Sequence, residues 1–171
     1  MDRLWAGWRS EYIDGVATGA EDPGGCVFCS ILSSGLDDEV THVLWWHPEG
    51  RAVAILNAYP YGSGHLMVMP TRHAASPEEL APGEGAAVWE GVTRAVAAVR
   101  RAYRPDGLNV GANLGRAAGA GVPGHFHMHV LPRWSGDTNF MTSVAETRVL
   151  PEPLSTSARK LRQAWLLDAD R

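Results

Sequence analysis

Three histidines, His125, His127 and His129, fall in the short segment His125-Phe126-His127-Met128-His129-Val130-Leu131. Imidazole titrates near neutral pH, attacks electrophiles through an unprotonated ring nitrogen, and ligates metals. The segment alternates histidine with an apolar residue. In a β-strand, successive side chains point to opposite faces. A strand over 125–131 therefore sets all three imidazoles on one face, about 6.6 Å apart at each step, with Phe126, Met128 and Val130 on the other. Slipping the register by one residue would bury the imidazoles, so the register is well specified. Two chemistries fit this array. One is a metal centre with His125, His127 and His129 as ligands and an open fourth position. The other is nucleophilic and acid–base catalysis. A merely polar strand face is disfavoured by the strict alternation.

What precedes the array narrows the choice. Gly119-Ala120-Gly121-Val122-Pro123-Gly124 abuts His125. Glycines let backbone N–H groups converge on an anion and let a ligand approach closely, and phosphate is the natural guest. Joined to the histidines, this loop points to phosphoryl chemistry with imidazole as nucleophile.

A second cluster of reactive residues is Cys26-Val27-Phe28-Cys29, which holds the only 2 cysteines of the chain. Two cysteines are too few for a secreted disulfide scaffold. The pair reads as a redox dithiol, a free structural pair, or half of a tetrahedral zinc site that needs two further ligands.

The elements that position these groups follow from periodicity. Val43–Trp46 and Ala52–Leu56, separated by Pro48-Glu49-Gly50, read as a β-hairpin. Asn57–Gly64 is a loop, and 65–69 is a strand stopped by Pro70. Val88, Val92, Val96, Val99 and Tyr103 recur at spacings of three and four, which predicts a helix over 84–103 ended by Pro105-Asp106-Gly107. Residues 108–112 form a short strand, 125–131 the histidine strand stopped by Pro132, and 155–167 a C-terminal helix with Leu161 and Trp165 on one face. Short strands around one long helix predict an α+β fold with a mostly antiparallel sheet, one long central helix and a C-terminal helix. The organisation expected is an N-terminal arm over 1–25, a domain over 26–140, and a C-terminal extension over 141–171 packed on that domain. Arg100 and Arg101 read as partners of their own helix's C-terminal dipole.

Composition bounds the rest. The chain has 171 residues, 45% apolar and 20% charged, enough for one packed domain, and its net charge of −4 argues against a basic nucleic-acid-binding surface. No apolar run reaches the roughly 20 residues of a membrane span. The start, Met1-Asp2-Arg3-Leu4-Trp5, lacks a signal peptide's apolar region, so a cytoplasmic setting is expected.

The segment His125 to Leu131 resembles the signature of the histidine triad family, and Pro132-Arg133 follows as in many members. The similarity runs from about Cys26 to Trp134. The stretch from Asn109 through Gly136-Asp137-Thr138-Asn139-Phe140 resembles the bacterial, diadenosine tetraphosphate phosphorylase-like branch. The resemblance implies the histidine triad fold. It also implies a covalent nucleotidyl-histidine released by water or phosphate, with His127 as nucleophile and His129 and His65 lining the phosphate site. Asn57 would hold the ribose, and Asn113 the phosphate or the nucleophile. The implied substrate is a purine nucleotide or dinucleoside polyphosphate, with nucleoside phosphoramidate hydrolysis as the alternative activity. A nucleotide-binding module without turnover is the alternative class. The resemblance further implies a homodimer, and a structural zinc on Cys26, Cys29, His73 and His125. In one place the chain departs from the pattern. Many members carry Gly-Gln-Ser or Gly-Gln-Thr before the first histidine, where this chain has Ala120-Gly121-Val122. A hydroxyl is missing there, so phosphate binding at Gly121 and Val122 rests on backbone N–H groups.

Overall fold

The computed structural model of the chain describes residues 25–137 and 152–167. Trp5, Trp8 and Tyr12 of the expected arm, and Thr138-Asn139-Phe140, lie outside the described residues. Five strands form one antiparallel sheet in the order β1-β2-β3-β5-β4. They are β1 (Val43–Trp46), β2 (Ala52–Leu56), β3 (Leu66–Pro70), β4 (Gly107–Gly111) and β5 (Met128–Arg133). Among the described residues, four α-helices accompany them: α1 (Val27–Ser33), α2 (Asp38–Thr41), α3 (Glu84–Tyr103) and α4 (Leu154–Leu166). The α+β, mostly antiparallel expectation holds, and both hairpin strands and the long helix have the expected boundaries. No helix among the described residues is long and apolar enough to cross a membrane.

The sheet is covered on both faces, and the period of two divides its side chains cleanly. Ala52, Ala54 and Leu56 of β2, Leu66 and Val68 of β3, and Val130 of β5 pack beneath α3 and α4. Val53 and Ile55, with Met67 and Met69, point the other way and pack with Phe28 and Ile31 of α1. Every residue of β2 and β3 is buried for this reason. A register shift between Val43 and Trp45 sends two consecutive residues, Leu44 and Trp45, to the helix face. Trp45 then stacks on Trp165 of α4 at 5.9 Å. Trp46 stays exposed, with its Nε1–H donated to the Asp38 carboxylate.

Helix α3 begins where Gly83 turns through a positive φ of 85° and the Glu84 carboxylate accepts the Ala81 N–H at 2.7 Å. Its Ala87, Val88, Gly91, Val92, Ala95, Ala98 and Val99 face the sheet. Gly91 sets how closely the helix approaches, because a Cβ there would lie 2.7 Å from Val68 Cγ1 and 2.8 Å from Trp45 Cζ3. Arg101 lies in the last turn of α3, at the C-terminal end of the helix dipole. Its guanidinium donates to the Ala164 carbonyl at 2.9 Å, tying α3 to the last turn of α4. Helix α4 buries Leu154, Ala158, Leu161 and Trp165 at helical spacing.

Pro132 does not stop its strand. It lies within β5, opposite Leu108 of β4. Pairing with β3 ends at Val130, so β5 is an edge on that side beyond this point and tolerates a residue without an N–H. The β3 strand likewise includes Pro70, opposite Ala52.

Candidate functional site

The histidine strand starts later than its alternation implies. β5 begins at Met128, and residues 125–127 run ahead of it without strand pairing. The Phe126 N–H donates to the Ala74 carbonyl at 2.6 Å, so the backbone of this stretch bonds the segment after β3. The facing of side chains nevertheless follows the alternation. Phe126 and Val130 lie in the core under α3. The imidazoles lie on the α1 side, where Phe28 meets His125 edge-on at 5.5 Å and His127 at 5.2 Å. His127 and His129 are neighbours at 4.9 Å between ring centroids.

Hydrogen-bond partners fix what each imidazole offers. A carbonyl oxygen only accepts, so a ring nitrogen facing one must carry the proton. His127 Nδ1 lies 2.7 Å from the carbonyl oxygen of His125 and donates to it. In the neutral ring this leaves a lone pair on Nε2. His65 Nδ1 accepts the Tyr61 N–H at 3.0 Å, so its Nε2 carries the proton and donates to His129 Nδ1 at 2.9 Å. His129 then carries its own proton on Nε2. The pair therefore combines a lone pair on His127 with an N–H donor on His129. Burial keeps both rings neutral, holding His127 below the ordinary imidazole range and His129 down at about 4. His127 is 4% exposed and His65 fully buried.

His125 turns away from this pair. Its Nε2 donates to the Pro70 carbonyl at 2.9 Å, which leaves the Nδ1 lone pair 3.4 Å from Cys26 Sγ and 3.6 Å from Cys29 Sγ. His73 Nδ1 lies 3.3 Å from Cys29 Sγ. One ligand atom from each of Cys26, Cys29, His73 and His125 falls within 4.8 Å of all the others. Bond lengths of about 2.3 Å to sulfur and 2.0–2.1 Å to nitrogen in a tetrahedron give a sulfur–nitrogen edge of about 3.5–3.6 Å. The three sulfur–nitrogen distances above, 3.3 to 3.6 Å, are close to this edge, so the donor set suits a tetrahedral, sulfur-and-nitrogen-ligated ion. The Pro70 carbonyl supplies the outer hydrogen bond that such a histidine ligand needs. Among the described residues this is the group that gathers in this way; His125, His127 and His129 do not converge on one point, which removes the three-histidine metal centre.

The remaining expected residues are placed as follows. Asn57 closes β2, and its Oδ1 accepts the Tyr59 N–H at 2.8 Å while its Nδ2 lies 3.4 Å from His65 Nδ1. It thus shapes the loop that carries Tyr61 and His65. Asn113 lies across the loop, with its Nδ2 on the Gly119 carbonyl at 3.5 Å. The loop from 115 to 120 closes on itself, because the N–H groups of Ala118, Gly119 and Ala120 donate to carbonyls within it. Val122 packs against the α1-side core, and its carbonyl accepts the His125 N–H. Arg133 is held by Asp137 at 2.6 Å and by Asn109, and Trp134 packs edge-on against Tyr103.

Two residues beside the imidazoles were missed by motif reading. Phe28 sits between the two cysteines, so the motif drew attention to its neighbours. Tyr61 meets His65 in a tilted contact at 4.6 Å and stacks on His129 at 6.0 Å from a loop without periodicity.

Comparison with known proteins agrees with this geometry. A family model for the HIT domain matches residues 46–136. The chain is 37% identical to the AP-4-A phosphorylase of Mycobacterium tuberculosis, over 96% of this chain and 85% of that one. A Zn-bound histidine triad family protein from Mycobacterium smegmatis has a TM-score of 0.69 at 30% identity, covering 86% of this chain and 99% of that one. A hypothetical histidine triad nucleotide-binding protein from Sulfolobus tokodaii has a TM-score of 0.67 at 27% identity, covering 83% and 93%. A HIT-domain match over residues 46–136 and a sequence matched over almost its whole length place this chain in the histidine triad, or HIT-domain, family.

Proposed function

We propose that this HIT-domain protein is a nucleotide hydrolase or transferase that cleaves dinucleoside polyphosphates, diadenosine tetraphosphate foremost, through a nucleotidyl group on His127. The observation that carries the reading is the His127 Nδ1–H on the His125 carbonyl, which leaves Nε2 as a neutral, buried nucleophile. His127 Nε2 attacks the α-phosphorus, and a phosphorus–nitrogen bond forms. The bond from phosphorus to the bridging oxygen breaks, and the nucleoside triphosphate leaves with the electron pair. His129 Nε2–H donates to the phosphoryl oxygen on which charge grows. Phosphate or water then attacks phosphorus and releases His127, giving ADP or AMP.

The missing hydroxyl at Ala120-Gly121-Val122 supports this substrate class over a phosphoramidate. A polyphosphate departs as an anion, whereas an amine leaving group has to be protonated. Gly121 and Val122 backbone groups and Asn113 complete the phosphate side, and Asn57 the ribose side, in this reading. Cys26, Cys29, His73 and His125 would hold zinc, whose role is to brace the chain entering His127 in a closed site with no open position. The Zn-bound mycobacterial neighbour and the matching edges support that assignment. A homodimer in the cytoplasm belongs to the same proposal.

The test is incubation with diadenosine tetraphosphate, with and without inorganic phosphate, followed by chromatography of the products. ADP plus ATP formed only with phosphate is the expected result. AMP plus ATP would make the protein a hydrolase, and no cleavage would overturn the reading.

A further inference from the structure

The four residues that would hold zinc are not equally shielded. Cys26 and His125 are 5% and 1% exposed, whereas Cys29 is half-buried and His73 lies on the surface. The pair Cys26 and His125 therefore forms the inner edge of the cluster. Cys29 and His73, 3.3 Å apart, form the outer one. Both sulfurs belong to one turn of chain, with Cys26 immediately before α1 and Cys29 inside its first turn, and they lie within 4.8 Å of each other. No disulfide joins them. A metal ion keeps a coordinating thiol deprotonated, and the thiolate is the form that peroxide oxidises. An accessible thiolate with a second sulfur beside it is the arrangement that oxidation converts to a disulfide. Cys29 stands where the attacked sulfur must be, and Cys26 where the resolving one must be.

We infer, on the zinc and His127 readings given above, that the Cys26–Cys29 pair is a site of reversible oxidation by hydrogen peroxide, and that its disulfide state disables His127. The Cys29 thiolate attacks one peroxide oxygen. A sulfur–oxygen bond forms, the oxygen–oxygen bond breaks, and hydroxide leaves. The Cys26 thiolate then attacks the sulfenic sulfur of Cys29. The disulfide bond forms, the sulfur–oxygen bond breaks, and a second hydroxide leaves. The sulfurs together lose two electrons, the peroxide gains them, and solvent protonates both hydroxides. The disulfide takes away two of four ligands, and two histidines alone leave the tetrahedral site incomplete. Two contacts carry this change to the nucleophile. Phe28 lies between the cysteines in the same turn and meets His127 edge-on at 5.2 Å. The carbonyl of His125 accepts the His127 Nδ1–H at 2.7 Å, while the His125 ring faces both sulfurs. Joining the sulfurs moves the turn that carries Phe28 and takes the ion from the His125 ring.

The test treats the zinc-loaded wild-type protein with hydrogen peroxide and follows three quantities. These are thiols counted with dithionitrobenzoate after unfolding, zinc released to a chromogenic chelator, and cleavage of diadenosine tetraphosphate. Both thiols, the zinc and the cleavage should be lost together, and the peptide holding Cys26 and Cys29 should lose the mass of two hydrogens. Dithiothreitol followed by zinc should restore all three quantities. With dimedone present during oxidation, the adduct should form on Cys29. Thiols that survive peroxide, zinc that stays bound after they are gone, oxygen gained in place of hydrogen lost, a dimedone adduct on Cys26, or an oxidised protein that cleaves at the untreated rate would each overturn the inference. A protein that binds no zinc would refute the metal reading and the inference with it. A protein that cleaves nothing before treatment would refute the nucleophile reading and the disabling of His127, while the thiol and zinc counts still decide the oxidation itself.

Discussion

Gly64, immediately before His65, gives a prediction that the structure sizes. Its φ is +78°, and a Cβ built there would lie 2.6 Å from Tyr103 Cε2, 2.9 Å from Cζ and 3.0 Å from Cδ2. The Tyr103 ring has little room to retreat, because its hydroxyl donates to Glu152 and its ring meets Trp134. Gly64→Ala should therefore cost about 1–2 kcal/mol for the left-handed backbone and about 1–3 kcal/mol for overpacking, or about 2–5 kcal/mol together. Gly119 is the internal control. It is left-handed, with φ 88° and ψ 19°, and a Cβ there would meet only Asn113 Nδ2, at an ordinary 3.9 Å. Gly119→Ala should cost only the backbone part, about 1–2 kcal/mol. The loss of unfolded-chain freedom is the same for both and cancels in the comparison. Urea unfolding of the two variants measures the difference. A third background, Tyr103→Leu, removes the ring atoms that clash, so Gly64→Ala should cost less there by about 1–3 kcal/mol. Equal costs for Gly64→Ala and Gly119→Ala, or no coupling to Tyr103, would refute the steric argument.

Other predictions concern the two clusters. Cys26→Ala should abolish stoichiometric zinc and lower the melting temperature; a metal at a hundred times its Kd stabilises by about 2.7 kcal/mol. A chelator should lower wild-type stability and leave the variant unchanged, and equal sensitivity would contradict the site. Stability should also fall in acid through His129. The unfolded imidazole takes up a proton near 6.5 and the folded one only near 4, so between these values the unfolded state binds more protons. Urea midpoints should therefore drop further for wild type than for His129→Asn between pH 7 and 4.5, and parallel profiles would count against the buried neutral ring.

Much of this architecture was legible because hydrophobic periodicity reports burial. Helix α3 is amphipathic at every turn and β1 and β2 are bounded by turn residues, so their limits agree with the expected ones. The start of β5 was not legible. The alternation from His125 onward states which side each residue faces, and the structure agrees on that. It does not state that Phe126 bonds Ala74 while β3 pairs only with 128–130. Pro132 inside β5 depends on where the neighbouring strand ends, which is a long-range fact. The same holds for Arg101, whose carbonyl partner is 63 residues away in sequence. At the site, His73 and the two cysteines come together from segments that only a family resemblance connected. Tyr61 carried no spacing signal at all, because loop residues are placed by tertiary contacts and not by period.

The claim on which the account turns is that His127 becomes covalently nucleotidylated. Rapid quenching of the protein with diadenosine tetraphosphate labelled at the α-phosphorus, followed by peptide mapping in base, measures this directly. The account predicts an adenylyl group on the peptide that contains His127, labile to acid, and absent from a folded His127→Ala protein that no longer turns over. Label on another residue, or full turnover by His127→Ala, would contradict it.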